Sequence, residues 1–448
     1  MANEEIKTRI MSLGKAGILS PLTHAAGASR SKFISDDEGI LINIHSEELE
    51  YYLCEGKKPP YFELAGAREK IYFDPSKLRC ALVTCGGLCP GLNDIIRSIV
   101  LELYHLYGVR NIYGMRYGLE GFIPKFGHAI IDLNPASVTN IMDMGGSILG
   151  SSRGPQDIDE IVDCLERMNI GILFMIGGDG TLNAAVKIAD TIVDRNLKIS
   201  VVGIPKTIDN DIYLVSRSFG FDTAVEVSTQ AIIGAHNEAI GYPNGIGLIK
   251  LMGRHSGFIA ATAALAQEDV NFVLIPEVDF DLNGPEGFLS ALDARLASRG
   301  HAVVVVAEGA GQRYFENMAE EERDESGNIR LKDIGLFIKK AIAEYFNAKG
   351  VNITIKYIDP SYMIRSLPAN PNDKVFCGFL ARSAVHAGMA GKTKLLIGSW
   401  NNHLVHIPME SSAGRRKKVN PDGDLWKAVL AATGQGPLKN HRVTNGDL

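Results

Sequence analysis

From residue 79 onwards, the chain alternates short apolar runs with segments whose apolar residues recur at helical spacing. One such unit consists of the run GILFMIGGDG (171–180), a helical pattern from Leu182 to Val193, and the run ISVVGIPK (199–206). The apolar residues of the middle segment fall on one helix face, whereas the two runs have the continuous apolar character of buried strands. The pattern therefore predicts a β-α-β unit in which Asp179 and Gly180 follow the first strand.

The same alternation occurs on both sides of this unit. An earlier run, LRCALVTCGG (78–87), predicts a strand that leads into a helix beginning near Leu92. A later series of strands and helices comprises GIGLIKLMG (245–253), SGFIAATAALA (256–266), NFVLIPEV (271–278), GFLSALDARLA (287–297), AVVVVAEGAG (302–311), IGLFIKKAIAEYF (334–346) and VNITIKYID (351–359). Strands and helices that alternate in this way predict an α/β fold with mainly parallel sheets covered by helices.

Length and composition indicate a globular protein with more than one domain. With 448 residues, 46% of them hydrophobic, the chain is too long for one ordinary core. The formal net charge of −6 argues against a nucleic-acid partner, which a basic surface would favour. No apolar run is long enough to span a bilayer, and the segment MANEEIKTRIMS lacks an apolar signal core. We therefore expect a cytoplasmic protein without a membrane partner.

The termini and the cysteines follow less regular patterns. Residues 1–78 lack clean periodicity and are interpreted as an extension that either folds back on the body or clasps a neighbouring subunit. The basic run RRKK (415–418) is interpreted as a solvated surface. The six cysteines show no second pair or nearby histidine that would complete a zinc site, so we interpret them as small core residues in a reducing compartment.

Six loops rich in glycine and charged residues follow the predicted strands. Ligands in α/β folds bind beyond the carboxyl ends of the strands, so these loops form the candidate site. They are GGLCPG (86–91), GSSRGP (150–155), GGDGT (177–181), PKTIDND (205–211), MGRHSG (252–257) and AEGAG (307–311).

The GGDGT loop has the features of a phosphate site that includes a metal ion. Glycines let the backbone approach a phosphate, and the following helix supplies N–H donors. Asp179 would repel a bare phosphate, but it suits a Mg²⁺ ion lying between the carboxylate and the phosphate. A capped strand-to-helix turn would explain the same residues, and GGDGT also suits lipid kinases and nicotinamide-dinucleotide kinases. Arg153 offers a guanidinium to a polyphosphate, although a surface arginine would give the same pattern.

The PKTIDND loop carries two carboxylates that suit phosphoryl transfer to an alcohol. This reaction needs a base for the hydroxyl proton and cations that neutralise the transferring oxygens. Asp209 and Asp211 suit the base and its orienting partner, and an Asx-type turn is the structural alternative. Two arginines, Arg254 and Arg365, suggest that the acceptor itself carries a phosphate. A glutamate, Glu308, suits the hydroxyls of a sugar.

The ordered set GGLCPGLN, GSSRGP, GGDGT, PKTIDND, MGR, AEGAG and YxxR resembles the 6-phosphofructokinase family from about residue 79 to residue 410. The 78-residue extension, with PKTIDND and YIDPSYMIRS, resembles the long subclass that includes plant and trypanosomatid ATP-dependent enzymes. The family transfers a phosphoryl group to the 1-hydroxyl of fructose 6-phosphate. The resemblance implies an ATP-dependent 6-phosphofructokinase with Mg²⁺ as cofactor, ATP and fructose 6-phosphate as substrates, and a homotetrameric assembly.

The resemblance also implies two similar α/β domains with the active site in the cleft between them. We expect an N-terminal extension at 1–78, a nucleotide domain at 79–220 and 365–410, a sugar-phosphate domain at 221–364, and a C-terminal tail at 411–448 with a short helix at 424–433. In this arrangement the chain crosses back to the first domain near residue 365.

Carried over motif by motif, the resemblance assigns roles to individual residues. The catalytic residues would be Asp209 as general base, Asp211 as its support, Thr207 and Arg254. The nucleotide would be held by Gly87, Arg153, Gly154, Gly178, Asp179, Gly180 and Thr181, with Asp179 as the Mg²⁺ ligand. The sugar phosphate would be bound by Thr207, Ile208, Asp209, Met252, Gly253, Arg254, Glu308, Tyr362 and Arg365, with Lys356 as a further candidate.

Some positions depart from the short bacterial members of the family. Gly245 stands where those enzymes have an arginine that reaches the 6-phosphate in a neighbouring subunit, so that contact is missing or replaced. Tyr362 stands at a position that is usually histidine, and Ala184 replaces a glycine near the nucleotide. The effector sites of the short enzymes are therefore not carried over.

Two positions bear on the phosphoryl donor. Pyrophosphate-using relatives have an aspartate after the metal-binding aspartate, where it fills the space of the ATP α-phosphate, and a lysine before TIDND. Here the two residues are Gly180 and Lys206, one from each class. We predict ATP, because Gly180 leaves the α-phosphate space open and Lys206 does not block ATP.

Three alternatives stay open. They are a pyrophosphate-dependent phosphofructokinase, another GGDGT kinase such as a nicotinamide-dinucleotide kinase, and a non-catalytic regulatory homologue. A dinucleotide kinase would not need Arg254, Glu308 and Arg365 together. Against a regulatory homologue stands the presence of Asp179, Asp209, Asp211 and Arg254, all of them predicted to act in catalysis or metal binding.

Overall fold

The computed structural model describes residues 6–24, 33–316 and 330–440. The chain divides into two compact units, the first comprising Met1–Ile208, Ile212–Gly220 and Arg365–Arg416, and the second comprising Asp209–Asp211, Phe221–Ile364 and Lys417–Leu448. Across the described residues, we find no helix with the length and apolar character needed to cross a membrane.

Strands and helices alternate through most of both units. In chain order the strands of the described residues are β1 (Met11–Ser12), β2 (Ile18–Leu19), β3 (Gly39–Leu41), β4 (Tyr61–Leu64), β5 (Lys70–Ile71), β6 (Arg79–Thr84), β7 (Asn111–Met115), β8 (Ile131–Asp132), β9 (Ile172–Gly177), β10 (Ser200–Pro205), β11 (Gly245–Leu251), β12 (Phe272–Leu274), β13 (His301–Ala307), β14 (Thr354–Ile358), β15 (Lys392–Thr393), β16 (Leu395–Trp400) and β17 (His403–Pro408). The α-helices are α1 (Ser46–Cys54), α2 (Leu92–Leu101), α3 (Ile158–Arg167), α4 (Asp179–Asp194), α5 (Phe221–Ile240), α6 (Phe258–Ala266), α7 (Phe288–Arg299), α8 (Ile334–Ala348), α9 (Ser361–Ser366), α10 (Pro371–Met389), α11 (Met409–Ser412) and α12 (Asp424–Thr433).

The first unit is built on a nine-stranded sheet with the order β3-β4-β17-β16-β10-β9-β6-β7-β8. Its central strands are parallel, and Phe174 of β9 lies in register with Val202 of β10 on one side and Leu82 of β6 on the other. Every residue of β9 is buried, which is the pattern of a central strand covered on both faces. Because β6, β9 and β10 are parallel neighbours, the loops that follow them leave the sheet at one edge.

Strands of the N-terminal extension lengthen this sheet at one end. Strand β4 pairs antiparallel with β17, and β3 pairs antiparallel with β4. The short strands β1 and β2 pair with β15 and β5 in two further ladders. Over these residues the extension therefore folds back on its own unit.

Buried charges tie the extension to the sheet. The Glu63 carboxylate of β4 accepts hydrogen bonds from Arg68 (2.6 Å) and Lys392 (3.2 Å) and lies 3.0 Å from Nδ1 of His406. Burial alone would raise the pKa of Glu63, but His406, Lys392 and Arg68 outweigh it and hold that pKa below its ordinary value. The extension is thus held by paired buried charges as well as by strand pairing.

The second unit has a smaller, fully parallel sheet with the order β12-β13-β11-β14. Helix α5 packs against β11 and β13, α7 against β13, and α8 against β11 and β14. Apolar side chains of the strands and helices form one core, for example Leu248, Val304, Leu292, Ile338 and Phe346. The carboxyl ends of β11 and β13 again lie side by side and place their following loops together.

The α/β fold class and the strands and helices predicted from the apolar pattern are confirmed. The pattern did not reveal the long helices α5 and α10, or the antiparallel strands that make the larger sheet mixed. Five cysteines are buried as expected, but Cys54 is exposed.

Candidate active site

In the first unit, β9 passes into α4 through the GGDGT loop. A Cβ atom at Gly177 would lie 2.1 Å from Oγ1 of Thr181, so this close turn requires glycine. Gly178 precedes α4 in extended conformation and has no side chain that could cap the helix. Backbone N–H groups at the start of a 16-residue helix are suited to an anion such as a phosphate.

Asp179, the first residue of α4, has neighbours that the sequence did not indicate. Its Oδ1 atom accepts the N–H of Gly414 (2.7 Å), and its Oδ2 atom lies 3.9 Å from Nη2 of Arg416. The side chain is 23% exposed and therefore accessible. No group of three or more His, Cys, Asp and Glu side chains suited to a metal occurs in the described ranges. A single accessible carboxylate fits Mg²⁺, which keeps several waters and takes phosphate oxygens as ligands.

Lys206, the residue after β10, is buried against the GGLCPG loop. Its ammonium group donates to the carbonyl oxygen of Gly87 (2.6 Å), and its own N–H donates to the carbonyl of Gly177 (2.9 Å). Burial lowers the pKa of Lys206, and the charges of Arg153 and Arg365 lower it further. Lys206 thus joins two of the predicted donor loops in a region of concentrated positive charge.

The GGLCPG and GSSRGP loops are also held together. Ser151 Oγ donates to the carbonyl of Gly86 (2.5 Å), and the N–H of Gly86 donates to the carbonyl of Ser152 (3.2 Å). The Nη2 atom of Arg153 lies 3.8 Å from where a Cβ atom of Gly87 would stand. The structure therefore brings the predicted donor residues Gly87 and Arg153 together.

Gly180 and Thr207 complete the first-unit part of the predicted site. A Cβ atom built on Gly180 would meet no atom of the described residues within 4 Å, so the space beside it is open. The carbonyl of Thr207 accepts a hydrogen bond from Ser218 Oγ (2.6 Å), a partner that no motif predicts. Ile208 is buried.

In the second unit, the loop after β11 contacts Asp209, the predicted general base. The N–H of Arg254 donates to Oδ2 of Asp209 (3.2 Å), and Ser256 Oγ donates to the carbonyl of Asp209 (3.3 Å). The structure thus brings Asp209 and Arg254, predicted from two separate motifs, into direct contact. The Arg254 N–H thus binds the Asp209 carboxylate, and Ser256 of the same loop binds the Asp209 main chain.

Backbone hydrogen bonds join the loops after β11 and β13. The N–H of Glu308 donates to the carbonyl of Leu251 (2.9 Å), and the N–H of Gly309 donates to that of Gly253 (3.1 Å). Gly253 has a φ of 128°, and a Cβ atom there would lie 2.5 Å from the carbonyl oxygen of Ser256. Met252 is fully buried. Glycine at 253 therefore allows the sharp turn that presents Arg254.

Glu277, which follows β12, contacts one of the candidate loops and is not among the residues predicted from the sequence. Its carboxylate accepts the N–H of Gly257 (3.0 Å to Oε2) and the N–H of Val419 (2.8 Å to Oε1). It therefore joins the MGRHSG loop to the C-terminal segment. The rule that ligand loops follow the strands could have drawn attention to it, because it ends the run NFVLIPEV.

Residues predicted for the 6-phosphate end lie in less enclosed positions. Tyr362 is 83% exposed, and Lys356 forms a 3.0 Å ion pair with Glu238. A Cβ atom at Gly245 would lie 2.0 Å from the carbonyl oxygen of Ala239, so an arginine cannot be accommodated there without rearrangement.

The interpretation of the RRKK run as a solvated surface is wrong for one residue. Arg415, Arg416 and Lys418 are exposed, but Lys417 is partly buried. The N–H of Lys417 donates to the carbonyl of Asp211 (2.8 Å), and its ammonium lies 5.0 Å from the ring centroid of Phe258. The backbone hydrogen bond to the PKTIDND loop places the Lys417 side chain where it is partly shielded from solvent.

Comparison with known proteins gives a consistent set of relatives. The family model for phosphofructokinase matches residues 79–388. The chain is 51% identical over 444 residues to the ATP-dependent 6-phosphofructokinase of Borreliella burgdorferi, covering 97% of this chain and 98% of the relative. It is 44% identical to the ATP-dependent 6-phosphofructokinase of Amycolatopsis methanolica, covering 95% and 94%, respectively. It is 46% identical to ATP-dependent 6-phosphofructokinase 1 of Arabidopsis thaliana, covering 84% and 79%.

Solved structures share the fold at lower sequence identity. A pyrophosphate-dependent phosphofructokinase from Marinobacter aquaeolei superposes with a TM-score of 0.64 at 20% identity, covering 80% of this chain and 92% of that one. Phosphofructokinase from Saccharomyces cerevisiae gives a TM-score of 0.60 at 22% identity, with 75% and 45% covered. At these identities the likeness concerns the fold alone.

Proposed function

Since the chain belongs to the phosphofructokinase family, we propose that it is an ATP-dependent 6-phosphofructokinase. The reaction moves the γ-phosphoryl group of ATP to the 1-hydroxyl of D-fructose 6-phosphate and yields fructose 1,6-bisphosphate. A homotetrameric assembly and a cytoplasmic location form part of the proposal.

The contact between Asp209 and Arg254 is the observation that carries the proposal. A base for the 1-hydroxyl proton must be held in a fixed orientation beside groups that stabilise the transferring phosphoryl. The Arg254 N–H fixes Oδ2 of Asp209. Asp209 thus takes the hydroxyl proton, while the Arg254 guanidinium stabilises the negative charge of the phosphoryl group. Glu308, presented by the adjoining loop, hydrogen-bonds the sugar hydroxyls.

The first unit supplies the donor side of the reaction. The N-terminus of α4 and the guanidinium of Arg153 bind the phosphates, and Thr207 contacts the transferring group. Asp179 would hold Mg²⁺, which when bound neutralises charge on the phosphate oxygens. The Gly414 N–H restricts the Asp179 carboxylate to one orientation. Tyr362, Arg365 and, as a further candidate, Lys356 serve the 6-phosphate of the acceptor.

The open space beside Gly180 supports ATP as the donor. Atoms of the described residues leave the region around a Cβ at this position unoccupied. ATP needs room for an α-phosphate that pyrophosphate lacks. The Lys206 ammonium donates to the Gly87 carbonyl, and this bond to the GGLCPG loop is compatible with ATP as the donor.

Initial rates with fructose 6-phosphate and either donor test the proposal. We expect turnover with ATP and Mg²⁺, and little with pyrophosphate. Turnover with pyrophosphate alone would show that pyrophosphate is the donor. Phosphorylation of a nicotinamide dinucleotide would show that the acceptor is not fructose 6-phosphate. Tight binding of ATP and fructose 6-phosphate without turnover would identify a regulatory homologue.

A further inference from the structure

Lys250 is a charged residue near the end of β11, a strand with neighbours on both sides in the sheet of the second unit. The residues that flank it, Ile249 and Leu251, are fully buried, and its own side chain is only 13% exposed. A lysine that is largely removed from water loses favourable hydration, so it requires carboxylate partners in its place.

The strand register places one such carboxylate beside the lysine. In the parallel pair of β11 and β14, Ile249 lies in register with Ile358. The residue that follows on each chain is Lys250 and Asp359, respectively, and the Lys250 ammonium lies 2.9 Å from Oδ2 of Asp359. The same ammonium lies 2.7 Å from Oδ2 of Asp333, which caps α8. One cation thus bridges two carboxylates at the carboxyl end of the sheet.

The Asp359 carboxylate in turn binds the start of α9. Its Oδ1 atom accepts the N–H of Ser361 (3.1 Å) and the hydroxyl of Ser361 (2.6 Å), the first residue of the helix. Burial alone would raise the pKa of Asp359, but the hydrogen bonds from Ser361 and Lys250 hold that pKa below its ordinary value. The two oxygens of one ionised carboxylate therefore join α9 to β11.

Helix α9 depends on such contacts for its position. It has six residues, and a helix of this length is not stable by itself in water. Ile364 is fully buried and packs the helix on one face, whereas Tyr362 and Met363 are exposed. The helix also contains Arg365, so both residues predicted for the 6-phosphate end belong to an element whose start is bound by Asp359.

We propose that Lys250 is a positioning residue that holds the start of α9 through Asp359 and so sets the affinity for the phosphate of the acceptor. Strand β11 leads directly into the loop that presents Arg254, so Lys250 connects two segments that are predicted to bind the acceptor. This inference rests on the proposed function, because that function assigns Tyr362 and Arg365 to the 6-phosphate.

The KM values of the two substrates distinguish positioning from a general loss of stability. In Lys250→Met we expect the KM for fructose 6-phosphate to rise roughly tenfold, which corresponds to about 1.4 kcal/mol, because the binding helix is less well ordered beforehand. The KM for ATP and kcat should stay close to wild type. A variant that is only less stable would contain less active enzyme, so its kcat would fall while both KM values stayed the same.

Lys349→Met is the matched control for this variant. Lys349 follows the last residue of α8, at the end of that helix opposite Asp333, and it forms a 2.6 Å ion pair with Asp293. The substitution removes a lysine and an ion pair from the same unit without touching Asp359 or α9. We therefore expect wild-type KM values for both substrates.

A second variant tests whether Lys250 acts through Asp359. Asp359→Asn keeps an oxygen that can accept the hydrogen bonds of Ser361, but it removes the charge opposite Lys250. It should raise the KM for fructose 6-phosphate by a smaller factor than Lys250→Met does. The double variant should have a KM no higher than that of Lys250→Met, because both substitutions remove the same interaction. A KM raised by the product of the two factors would overturn the inference.

Hydrogen exchange of α9 gives a measurement that needs no turnover. In Lys250→Met the backbone amides of residues 361–366 should exchange faster than in wild type, whereas those of α7 should be unchanged. If wild type does not phosphorylate fructose 6-phosphate but this acceleration occurs, the proposed function fails and the positioning of α9 by Lys250 stands.

Two further results would overturn the inference. One is an exchange rate of α9 that neither Lys250→Met nor Asp359→Asn changes, whatever the substrate of the enzyme. The other is an active wild type whose Lys250→Met variant, folded by circular dichroism, retains the wild-type KM for fructose 6-phosphate. Should Lys250→Met fail to fold, the KM and the α9 exchange of Asp359→Asn decide the matter.

Discussion

The loops predicted to bind the donor (86–91, 150–155 and 177–181, in the first unit) are built differently from those predicted to bind the acceptor (209–211, 252–257 and 307–311, in the second unit). We call them the donor loops and the acceptor loops. In the first, glycines and helix-terminal N–H groups provide the surface, and the space beside Gly180 is open. In the second, backbone N–H groups from neighbouring loops fix side-chain carboxylates, as Arg254 does for Asp209. We conclude that changes in the acceptor loops should mainly affect the chemical step, and changes in the donor loops should mainly affect recognition of the donor.

The largest expected effect comes from removing the base in the acceptor loops. Asp209→Ser should lower kcat by roughly 10²–10⁴ through loss of proton transfer. Binding of fructose 6-phosphate, measured by calorimetry, should be retained. Asp132→Ser, at an exposed carboxylate of β8, is the matched control. Unchanged kcat in Asp209→Ser would remove Asp209 from this role.

A smaller effect is expected when the open space of the donor loops is filled. Gly180→Asp should reduce kcat/KM for ATP by roughly 10²-fold, because a like charge placed against the α-phosphate costs several kcal/mol. The protein should still fold, since a Cβ atom there meets no described atom within 4 Å. Gly234→Asp, at an equally open position of α5, controls for the added charge. Full ATP affinity in Gly180→Asp would show that the steric argument is wrong.

A further test concerns Lys206, whose ammonium group hydrogen-bonds one of the donor loops. Lys206→Met removes the 2.6 Å hydrogen bond to the partly buried Gly87 carbonyl, and a hydrogen bond that involves a charged group contributes about 1.5–3 kcal/mol. We expect a roughly tenfold higher KM for ATP and little change in the KM for fructose 6-phosphate. Lys187→Met, on the exposed face of α4, serves as the control. An equal rise in both KM values would contradict the separation of the two regions.

The smallest expected effect is on the free energy of unfolding, and it arises at Glu102, which lies outside both sets of loops. Burial raises the pKa of Glu102 to about 7, and Arg382, 3.9 Å away, opposes the shift. Because the folded value lies above the unfolded value, the stability contributed by Glu102 is present below about pH 4.5 and is lost as pH rises through 7. Glu102→Gln should therefore raise the free energy of unfolding by about 1 kcal/mol at pH 8 but hardly at pH 4.5.

Denaturant unfolding at the two pH values measures this difference. Glu48→Gln, at an exposed position of α1, should show no such pH dependence. A Glu102→Gln variant with the same pH dependence as wild type would show that Glu102 does not titrate on unfolding. Catalysis by Glu102→Gln should keep its pH profile, because the residue lies outside the candidate loops.

Much of the candidate site could be predicted because it follows from local pattern. The apolar runs located the loops after them that contain Asp179 and Asp209, and parallel strand order explains why the loops within each unit meet. Gly414 could not be predicted, because it contributes only a backbone N–H. Lys417 was misassigned within the RRKK run, since its burial depends on a tertiary contact with Asp211. Strand β3 could not be predicted either, because its three residues carry no pattern that indicates antiparallel pairing with β4.

Direct identification of the product is the most decisive measurement. Purified protein with ATP, Mg²⁺ and fructose 6-phosphate should generate, by ³¹P NMR, a new phosphomonoester at C1 together with ADP. The same mixture with Asp209→Ser should retain its starting resonances over the same period. Phosphoryl transfer with pyrophosphate but not ATP, or no transfer despite binding of both substrates, would contradict the account.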